Sequence, residues 1–129
     1  MPDAVVGVGV DLCDVERMRG VLARTPTFRD RVFTDAERER CERPRDPAER
    51  YAARFAAKEA VLKAMGVGIG ACRLRDIEVV NDSSGAPSLV LHGRAAELAG
   101  ERDITGWQVS LSHTATLAQA TVLALGGRR

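Results

Sequence analysis

The sequence predicts that residues 1–129 form a single domain of the α+β class, in which an antiparallel sheet packs against one long helix and several shorter helices. Three observations support this prediction. The chain has 129 residues and is 45% hydrophobic, which is the usual size of one domain and enough for one core. One helical pattern continues without a break over residues 47–65. The elements occur in the order strand, helices and then mostly strands, which is typical of α+β domains.

The N-terminal third of the chain is predicted to form one strand followed by two helices. Residues 5–10 are mostly valine and are followed by Asp11, so the pattern places this carboxylate at the end of a strand. A helix follows over residues 14–24, with Asp14 as its N-cap. The run Thr34–Glu37 forms a capping box, which opens a second helix rich in charged residues.

The long helix is the central element of the predicted fold. Asp46 followed by Pro47 is a typical cap and first-turn pair, and Gly66 is a natural residue to end the helix after Met65. The elements beyond it are strands over 76–81 and 88–92, a helix over 93–100, and strands over 107–112 and 118–125. A turn at 82–87 joins the first two of these strands into a hairpin.

The composition argues against several classes of protein. With 19 basic and 18 acidic residues the formal charge is +1, so no excess of positive charge points to nucleic acid or to an anionic membrane. The sequence contains no run of about 18 apolar residues, so no membrane span is predicted. The N-terminal residues also lack the basic region of a signal peptide. The three cysteines are widely spaced and form no CxxC pair, so we expect reduced thiols in a cytoplasmic protein.

One face of the long helix carries a carboxylate among apolar residues. The residues at helical spacing along this face are Ala48, Ala52, Phe55, Glu59 and Leu62. A buried ionised carboxylate is costly unless a cation or hydrogen bonds compensate it, so Glu59 requires a partner. Lys63, four residues further along the helix, is one candidate. A metal is the other, because Glu59 and Asp11 could together hold Mg²⁺, which is commonly bound by carboxylates, water and substrate phosphate oxygens.

A second face of this helix carries three cations, Arg50, Arg54 and Lys58, at four-residue intervals. They can form a solvated face, although like charges at this spacing slightly destabilise a helix. They can also bind an anionic ligand such as phosphate. The spacing leaves both interpretations open.

Other chemical motifs are weak or absent. His113 lies between a predicted strand and a turn and can be a structural histidine, and no GxSxG elbow indicates a hydrolase triad. Gly7 and Gly9 lack the third glycine of a dinucleotide-binding fingerprint, so a Rossmann domain is not expected. The glycine-rich run 66–70 lacks the GK[ST] ending of a P-loop and follows a helix C-terminus, where the helix dipole repels anions.

Four segments, in this order, carry a family resemblance. They are GVGVDLCDVERM at 7–18, RFAAKEAVLKAMGVGIG at 54–70, DIEVVNDSSGAPSLVLHG at 76–93 and VSLSHT at 109–114. Together they closely resemble the holo-acyl-carrier-protein synthases, the AcpS-type phosphopantetheinyl transferases. The resemblance spans nearly the whole chain and centres on KEAxxKxxG with an upstream GxGxD. It implies transfer of the 4'-phosphopantetheine arm of coenzyme A to a serine of an apo acyl carrier protein, with release of adenosine 3',5'-bisphosphate.

The resemblance implies a magnesium site and a mechanism. Asp11 and Glu59 match the family's magnesium ligands, with the metal bridging the pyrophosphate of coenzyme A. The carrier serine would attack the β-phosphorus, while Mg²⁺ and nearby cations neutralise charge as the nucleotide leaves. Lys63 matches a lysine that lies beside the phosphates, where it would act in catalysis. The base would be Glu59 or a water molecule bound to the magnesium.

The resemblance also implies which residues contact coenzyme A. They are Arg54, Lys58, Lys63, Gly85, Pro87 and His113. His113 matches a contact to the 3'-phosphate, and Gly85 with Pro87 matches a GxP turn near the adenine. Ala86 lies in the middle of this turn, where many relatives have a basic residue, so we expect one phosphate or base contact to be weaker or replaced.

The first helix of the family docks on the acidic recognition helix of the carrier protein. The matching docking candidates are Arg17, Val21, Arg24, Phe28 and Arg31. Complementary charge would raise the association rate and set the register. The alternative is an ordinary charged surface, because Asp14, Glu16 and Asp30 are interleaved with these arginines. Short members of the family form trimers with active sites between subunits, so the resemblance also implies a homotrimer.

Two other functions remain open at this point. A magnesium-dependent nucleotide phosphotransferase or hydrolase could use the same carboxylates, and it would release adenosine 3',5'-bisphosphate without a carrier protein. A small arginine-rich protein that only binds coenzyme A or an acidic partner would tolerate the loss of Glu59. Within the family interpretation, the carrier protein can belong to fatty-acid or to polyketide synthesis.

Overall fold

The computed structural model describes residues 4–127, which form a three-stranded sheet, a two-stranded sheet and several helices. In chain order the elements are β1 (Ala4–Asp14), α1 (Val15–Arg24), α2 (Phe28–Val32), α3 (Asp35–Cys41), α4 (Ala48–Met65), β2 (Ile77–Asn81), β3 (Pro87–Leu91), α5 (Gly93–Glu101), β4 (Ile104–His113) and β5 (Leu117–Gly126). A short 3₁₀ turn, Leu74–Asp76, precedes β2. No helix within these described residues is long and apolar enough to cross a membrane.

The predicted α+β class and antiparallel pairing are confirmed. The strands of the larger sheet lie in the order β1-β5-β4, and both neighbouring pairs are antiparallel. Strands β2 and β3 form the predicted hairpin. Helix α4 packs against one face of the larger sheet, where it contacts β1 and β5. The long helix is therefore the element on which both the core and the site are built.

The helix ends follow local signals in the sequence. The side chain of Asp14 caps α1 by accepting a hydrogen bond from the backbone N–H of Arg17 at 2.8 Å. Thr34 and Glu37 form the predicted capping box at the start of α3. Gly66 has a φ of 74°, so a left-handed residue ends α4 as predicted.

Two elements differ from the prediction. Strand β1 continues to Asp14 because it pairs with β5 along this whole length, with Asp11 opposite Ala120. Asp11 therefore lies inside a strand, and the prediction that it ends one is wrong. The sequence does not predict α2, a helix of only five residues whose buried Val32 packs into the core. A helix this short carries too little periodicity to be recognised without that packing.

Strand β1 and helix α4 approach each other unusually closely. A Cβ atom on Gly9 would lie 1.8 Å from the backbone oxygen of Ala60, and one on Gly7 would lie 2.1 Å from that of Ala64. Any larger residue would therefore push the strand away from the helix. Because side chains alternate along a strand, Asp11 is the next residue of β1 to face the helix.

Two residues on the charged face of α4, Lys58 and Arg54, are buried rather than exposed to solvent. The ammonium of Lys58 is fully buried and donates to Oε1 of Glu37 at 2.8 Å and to backbone oxygens at the entrance of β2. The other carboxylate oxygen of Glu37 accepts from the backbone N–H of Val79 at 2.9 Å. This buried ion pair links α3, α4 and β2. Arg54 is also buried, with 5% of its surface exposed.

The outer face of β1 is apolar and exposed. Its side chains expose between 47% and 59% of their surface and are Val6, Val8, Val10 and Leu12. They alternate with the glycines and Asp11, which face α4. A contiguous apolar row of this kind is typical of a surface that contacts another chain.

Candidate active site

The centre of the candidate active site is a contact between β1 and the last turns of α4. Nζ of Lys63 donates to Oδ1 of Asp11 at 2.7 Å and to the backbone oxygen of Val10 at 3.1 Å. The carboxylate of Glu59 lies close enough to Asp11 for the two charges to interact. The structure thus brings together the two predicted metal-binding carboxylates and the predicted catalytic lysine. Lys63, the intrahelical candidate partner of Glu59, is paired with Asp11 instead.

The electrostatics of this cluster are dominated by its two acids. Burial, and then the neighbouring Asp11 carboxylate, raise the pKa of Glu59 from its ordinary 4.5 to about 7, and Lys63 partly opposes this shift. The hydrogen bond to Asp11 raises the pKa of Lys63. Two carboxylates and one ammonium leave an excess of negative charge, which a further cation would relieve.

The donor set fits a magnesium ion. Oδ2 of Asp11 is buried and has no hydrogen-bond partner. Magnesium is usually held by one or two carboxylates and completes its coordination with water and substrate phosphate oxygens. Within residues 4–127 no group of three or more His, Cys, Asp or Glu side chains is placed to hold a metal, as a structural zinc site would require. Asp11 and Glu59 therefore suit a hard cation that binds with its substrate.

A pocket of about 370 Å³ opens beside Glu59. Its lining residues are Leu12, Cys13, Asp14, Arg17, Met18, Val21, Phe28, Phe55 and Glu59. Two aromatic rings, Phe28 and Phe55, lie against each other with centroids 5.9 Å apart and form part of the apolar wall. Arg17 and Val21 of α1 therefore border the same pocket as Glu59, and so does Phe28 of α2.

The arginines of α1 and α2 differ in their pairing. Arg19 is bonded to Asp46 at 2.6 Å and Arg29 to Glu42 at 2.9 Å. Among the residues that the structure describes, Arg17, Arg24 and Arg31 form no ion pair with a carboxylate. These three guanidinium groups are exposed and form the basic surface of α1 and α2, and Arg17 also lines the pocket.

Other predicted ligand residues lie away from this pocket. Nδ1 of His113 contacts Oε1 of Glu49 at 2.7 Å, near the first turn of α4. Glu59 lies about 15 Å further along that helix, given a rise of about 1.5 Å per residue. A single chain therefore does not bring His113 beside Glu59. Gly85 has a φ of 91° in the exposed turn between β2 and β3, and Pro87 opens β3.

Comparisons with known proteins show to which family the chain belongs. The family model of the 4'-phosphopantetheinyl transferase superfamily matches residues 7–118. The chain belongs to this superfamily. It is 46% identical over 123 residues to the holo-[acyl-carrier-protein] synthase of Desulforudis audaxviator, covering 95% of this chain and 94% of that protein.

Solved structures of superfamily members have the same fold as this chain. The holo-ACP synthase of Plasmodium yoelii has a TM-score of 0.87 at 31% identity and covers 99% of this chain and 100% of its own. The holo-(acyl-carrier-protein) synthase of Bacillus anthracis, in complex with CoA (3',5'-ADP), has a TM-score of 0.78 at 32% identity. The match covers 95% of this chain and 98% of that one.

In this superfamily member Lys58 lies apart from the cluster of Asp11 and Lys63. Its ammonium group donates to Glu37 and to backbone oxygens inside the protein. A direct contact between Lys58 and coenzyme A has no support in this arrangement. Arg54 is also buried, but it is connected to the β2–β3 turn through Asn81.

Sequence reasoning missed two residues of this region. Cys13 lines the pocket, and burial followed by the charges of Glu59 and Asp11 raises its pKa to about 11, so its thiol is neutral at physiological pH. Its position two residues after Asp11 places both on one strand face, a signal that the sequence does contain. No signal in the sequence indicates Asn81, because this residue takes part in the region only through its contact with helix α4.

Proposed function

We propose that this chain is a holo-acyl-carrier-protein synthase. It transfers the 4'-phosphopantetheine arm of coenzyme A to a serine of an apo acyl carrier protein and releases adenosine 3',5'-bisphosphate. The observation that carries the proposal is the meeting of Asp11, Glu59 and Lys63 beside a pocket edged by Arg17, in a member of the phosphopantetheinyl transferase superfamily. The name of the Desulforudis audaxviator relative and the coenzyme A complex of the Bacillus anthracis structure support it.

Asp11 and Glu59 would hold Mg²⁺ in this proposal. The buried free oxygen of Asp11 and the raised pKa of Glu59 both favour the binding of a cation at this place. When bound, Mg²⁺ would neutralise the charge that develops on the pyrophosphate oxygens. Lys63 is held at this place by its bonds to Asp11 and Val10, and its ammonium would stabilise the same phosphates.

The chemical step is a transfer between two oxygens. The serine hydroxyl of the carrier forms a bond to the β-phosphorus of coenzyme A, and the bond from that phosphorus to the oxygen of the departing adenosine 3',5'-bisphosphate breaks. The proton of the serine has to leave as the bond forms. Glu59 lines the pocket at which the carrier would dock and is the candidate acceptor of this proton.

The carrier protein would dock on the basic surface of α1 and α2. Arg17, Arg24 and Arg31 form no ion pairs within residues 4–127, so they are available to an acidic partner helix. Val21 and Phe28 supply apolar contacts at the rim of the pocket. Docking here would deliver the serine to Glu59. The charges would mainly accelerate association and set its register.

The homotrimer remains part of the proposal. The apolar outer face of β1, formed by Val6, Val8, Val10 and Leu12, is a surface that self-association would bury. His113 lies away from Glu59 in one chain, and an active site shared between subunits would let the His113 of a neighbouring chain contact coenzyme A. The choice between fatty-acid and polyketide carriers and the cytoplasmic location stay predictions.

The test is the intact mass of an apo acyl carrier protein after incubation with this protein, coenzyme A and Mg²⁺. We expect a gain of one phosphopantetheine group, abolished by EDTA and by Glu59→Ala. Carriers of fatty-acid and of polyketide synthesis are tested in parallel. Release of adenosine 3',5'-bisphosphate with no gain on any carrier would refute the transferase and leave a hydrolase.

A further inference from the structure

Helix α2 has only five residues, yet it carries Phe28 and Arg31, two of the residues that the proposed function assigns to carrier docking. Phe28 lines the pocket that also contains Glu59, whereas Arg31 is exposed on the basic surface of α1 and α2. A helix of this length is not stable by its own hydrogen bonds, because its first turn fixes several residues for a single bond. The orientation of α2 therefore depends on contacts from the rest of the chain.

The side of α2 that faces the protein is held by packing and by one ion pair. Val32 has only 7% of its surface exposed, and the ring centroid of Phe28 lies 5.9 Å from that of Phe55. Nε of Arg29 donates to Oε2 of Glu42 at 2.9 Å. These contacts hold α2 against α4 and the end of α3. They do not satisfy its last carbonyl oxygens, which have no partners inside the helix.

Arg75 supplies partners for the C-terminal end of α2. This residue belongs to the 3₁₀ turn before β2, and its Nη1 donates to the backbone oxygen of Asp30 at 2.6 Å and to that of Phe33 at 2.5 Å. Nη2 of Arg75 lies 3.4 Å from Oδ1 of Asp35, in the first turn of α3. The helix dipole also favours a cation at a helix C-terminus. One side chain therefore joins the end of α2 to the start of α3 and to the turn before β2.

The surroundings of Arg75 separate this contact from the hydrophobic core. The side chain of Arg75 is 32% exposed, and that of its carboxylate partner Asp35 is 89% exposed. Loss of the guanidinium group would therefore leave no buried charge without a partner, which is the case that destabilises a whole domain. Its main effect would be to free the end of α2.

We propose that Arg75 is a positioning residue for carrier-protein docking, because it fixes the orientation of α2 and thereby that of Phe28 and Arg31. The inference rests on the proposed function, which gives these two side chains their contact with the carrier. When Arg75 is lost, only the molecules that keep α2 in place bind the carrier well, and the apparent affinity falls by that fraction. None of the residues predicted to contact coenzyme A belongs to α2, so the binding of coenzyme A should not change.

The test measures kcat and the KM values for apo acyl carrier protein and for coenzyme A. Arg75→Gln should raise the KM for the carrier about tenfold, which corresponds to α2 in place in about one molecule in ten, and leave the other two quantities unchanged. Arg75→Lys should recover part of this loss, because an ammonium group can still donate to the two backbone oxygens. The effect should persist at high salt, since it does not arise from long-range attraction.

Arg73→Gln is the matched control for the change in charge. Arg73 lies two residues before Arg75, but its Nη2 is bonded to Oδ1 of Asp76 at 3.0 Å rather than to α2. The substitution removes the same charge from the same region, so the KM for the carrier should stay unchanged. Thermal melting confirms that each variant is folded.

Hydrogen exchange gives a second measurement that needs no carrier protein. The backbone N–H of Arg31 donates to the oxygen of Thr27 at 3.1 Å, and that of Phe33 donates to the oxygen of Arg29 at 3.0 Å. Arg75→Gln should accelerate the exchange of these two amides at least about tenfold, because the end of α2 opens more often. The amides of α5 should exchange as in the unmodified protein.

An unchanged KM for the carrier in Arg75→Gln would overturn the proposal, and so would an equal rise in Arg73→Gln. Faster exchange in α2 without a change in KM would show that docking does not depend on the position of this helix, which also refutes it. If the unmodified protein transfers nothing to any carrier, the proposed function fails instead. Hydrogen exchange then decides alone whether Arg75 fixes α2, and unchanged exchange would refute that role.

Discussion

Replacing Gly9 with alanine tests the close contact between β1 and α4 on which the candidate active site depends. The new Cβ atom would lie 1.8 Å from the backbone oxygen of Ala60, and real Cβ atoms essentially never come within 3.0 Å of another heavy atom. The strand therefore has to move by about 1.2 Å, the difference between these two distances. Backbone lies on both sides of the contact, so neither partner can rotate away.

Two effects of Gly9→Ala follow from this displacement. Overpacking in a core usually costs about 1–3 kcal/mol, and here we expect a loss near the upper end because the obstacle is a helix backbone. Asp11 faces the helix two residues later, so the shift would also move its carboxylate relative to Glu59 and Lys63. A misplacement of about 1 Å can reduce a rate by about a hundredfold.

The assay combines urea unfolding, followed by the fluorescence of the single tryptophan Trp107, with the rate of phosphopantetheine transfer. Gly68→Ala is the control, because a Cβ atom there would meet nothing within 4 Å and should change neither quantity. A Gly9→Ala protein with the original midpoint and the original rate would refute the argument. A protein that is less stable but transfers at full rate would show that Asp11 is positioned independently of this contact.

Three further changes test other parts of the structure. Lys58→Met removes the cation of the buried pair with Glu37 and should lower the free energy of unfolding by about 3–5 kcal/mol in chemical denaturation. Unchanged stability with lost affinity for coenzyme A would instead make Lys58 a ligand residue. Because the pKa of Glu59 is raised to about 7, binding of Mg²⁺ below that pH must displace a proton. The magnesium affinity of the metal-free protein, measured by calorimetry, should therefore rise up to roughly tenfold per pH unit below about pH 7 and level off above it. An affinity independent of pH over this range would contradict the assignment of Glu59. Arg17→Glu with Arg24→Glu should slow association with the carrier protein at low salt, and the difference should shrink as salt is added. If the exposed Arg94→Glu slows association equally, the docking surface lies elsewhere.

The sequence by itself determined the local structure of this protein. The N-cap Asp14, the capping box from Thr34 to Glu37 and the terminating Gly66 all act within a few residues of chain, so their partners are present in the sequence pattern. The pattern also singled out Glu59 as a carboxylate among apolar residues, and its need for a partner stays a prediction. Its isolation on an apolar helix face follows from helical periodicity alone.

Only the tertiary structure decided which long-range partners these residues have. Lys63 could pair with Glu59 on its own helix, but it bonds to Asp11, 52 residues earlier in the chain. Lys58 shows the same principle, because the sequence pattern places it on a charged helix face, whereas in the structure it is buried against Glu37. The spacing of residues fixes which side chains share a helix face, whereas burial depends on what packs against that face.

The two glycines before Asp11 show how a local feature of the sequence acquires its role through tertiary packing. In the sequence Gly7 and Gly9 form half of an incomplete nucleotide fingerprint, and nothing in their spacing reveals a helix beside them. In the fold they allow the backbone of β1 to lie against α4, and this contact brings Asp11 to Glu59 and Lys63. The residues of the site are thus present in the sequence, but their meeting depends on the distance between a strand and a helix, which packing alone determines.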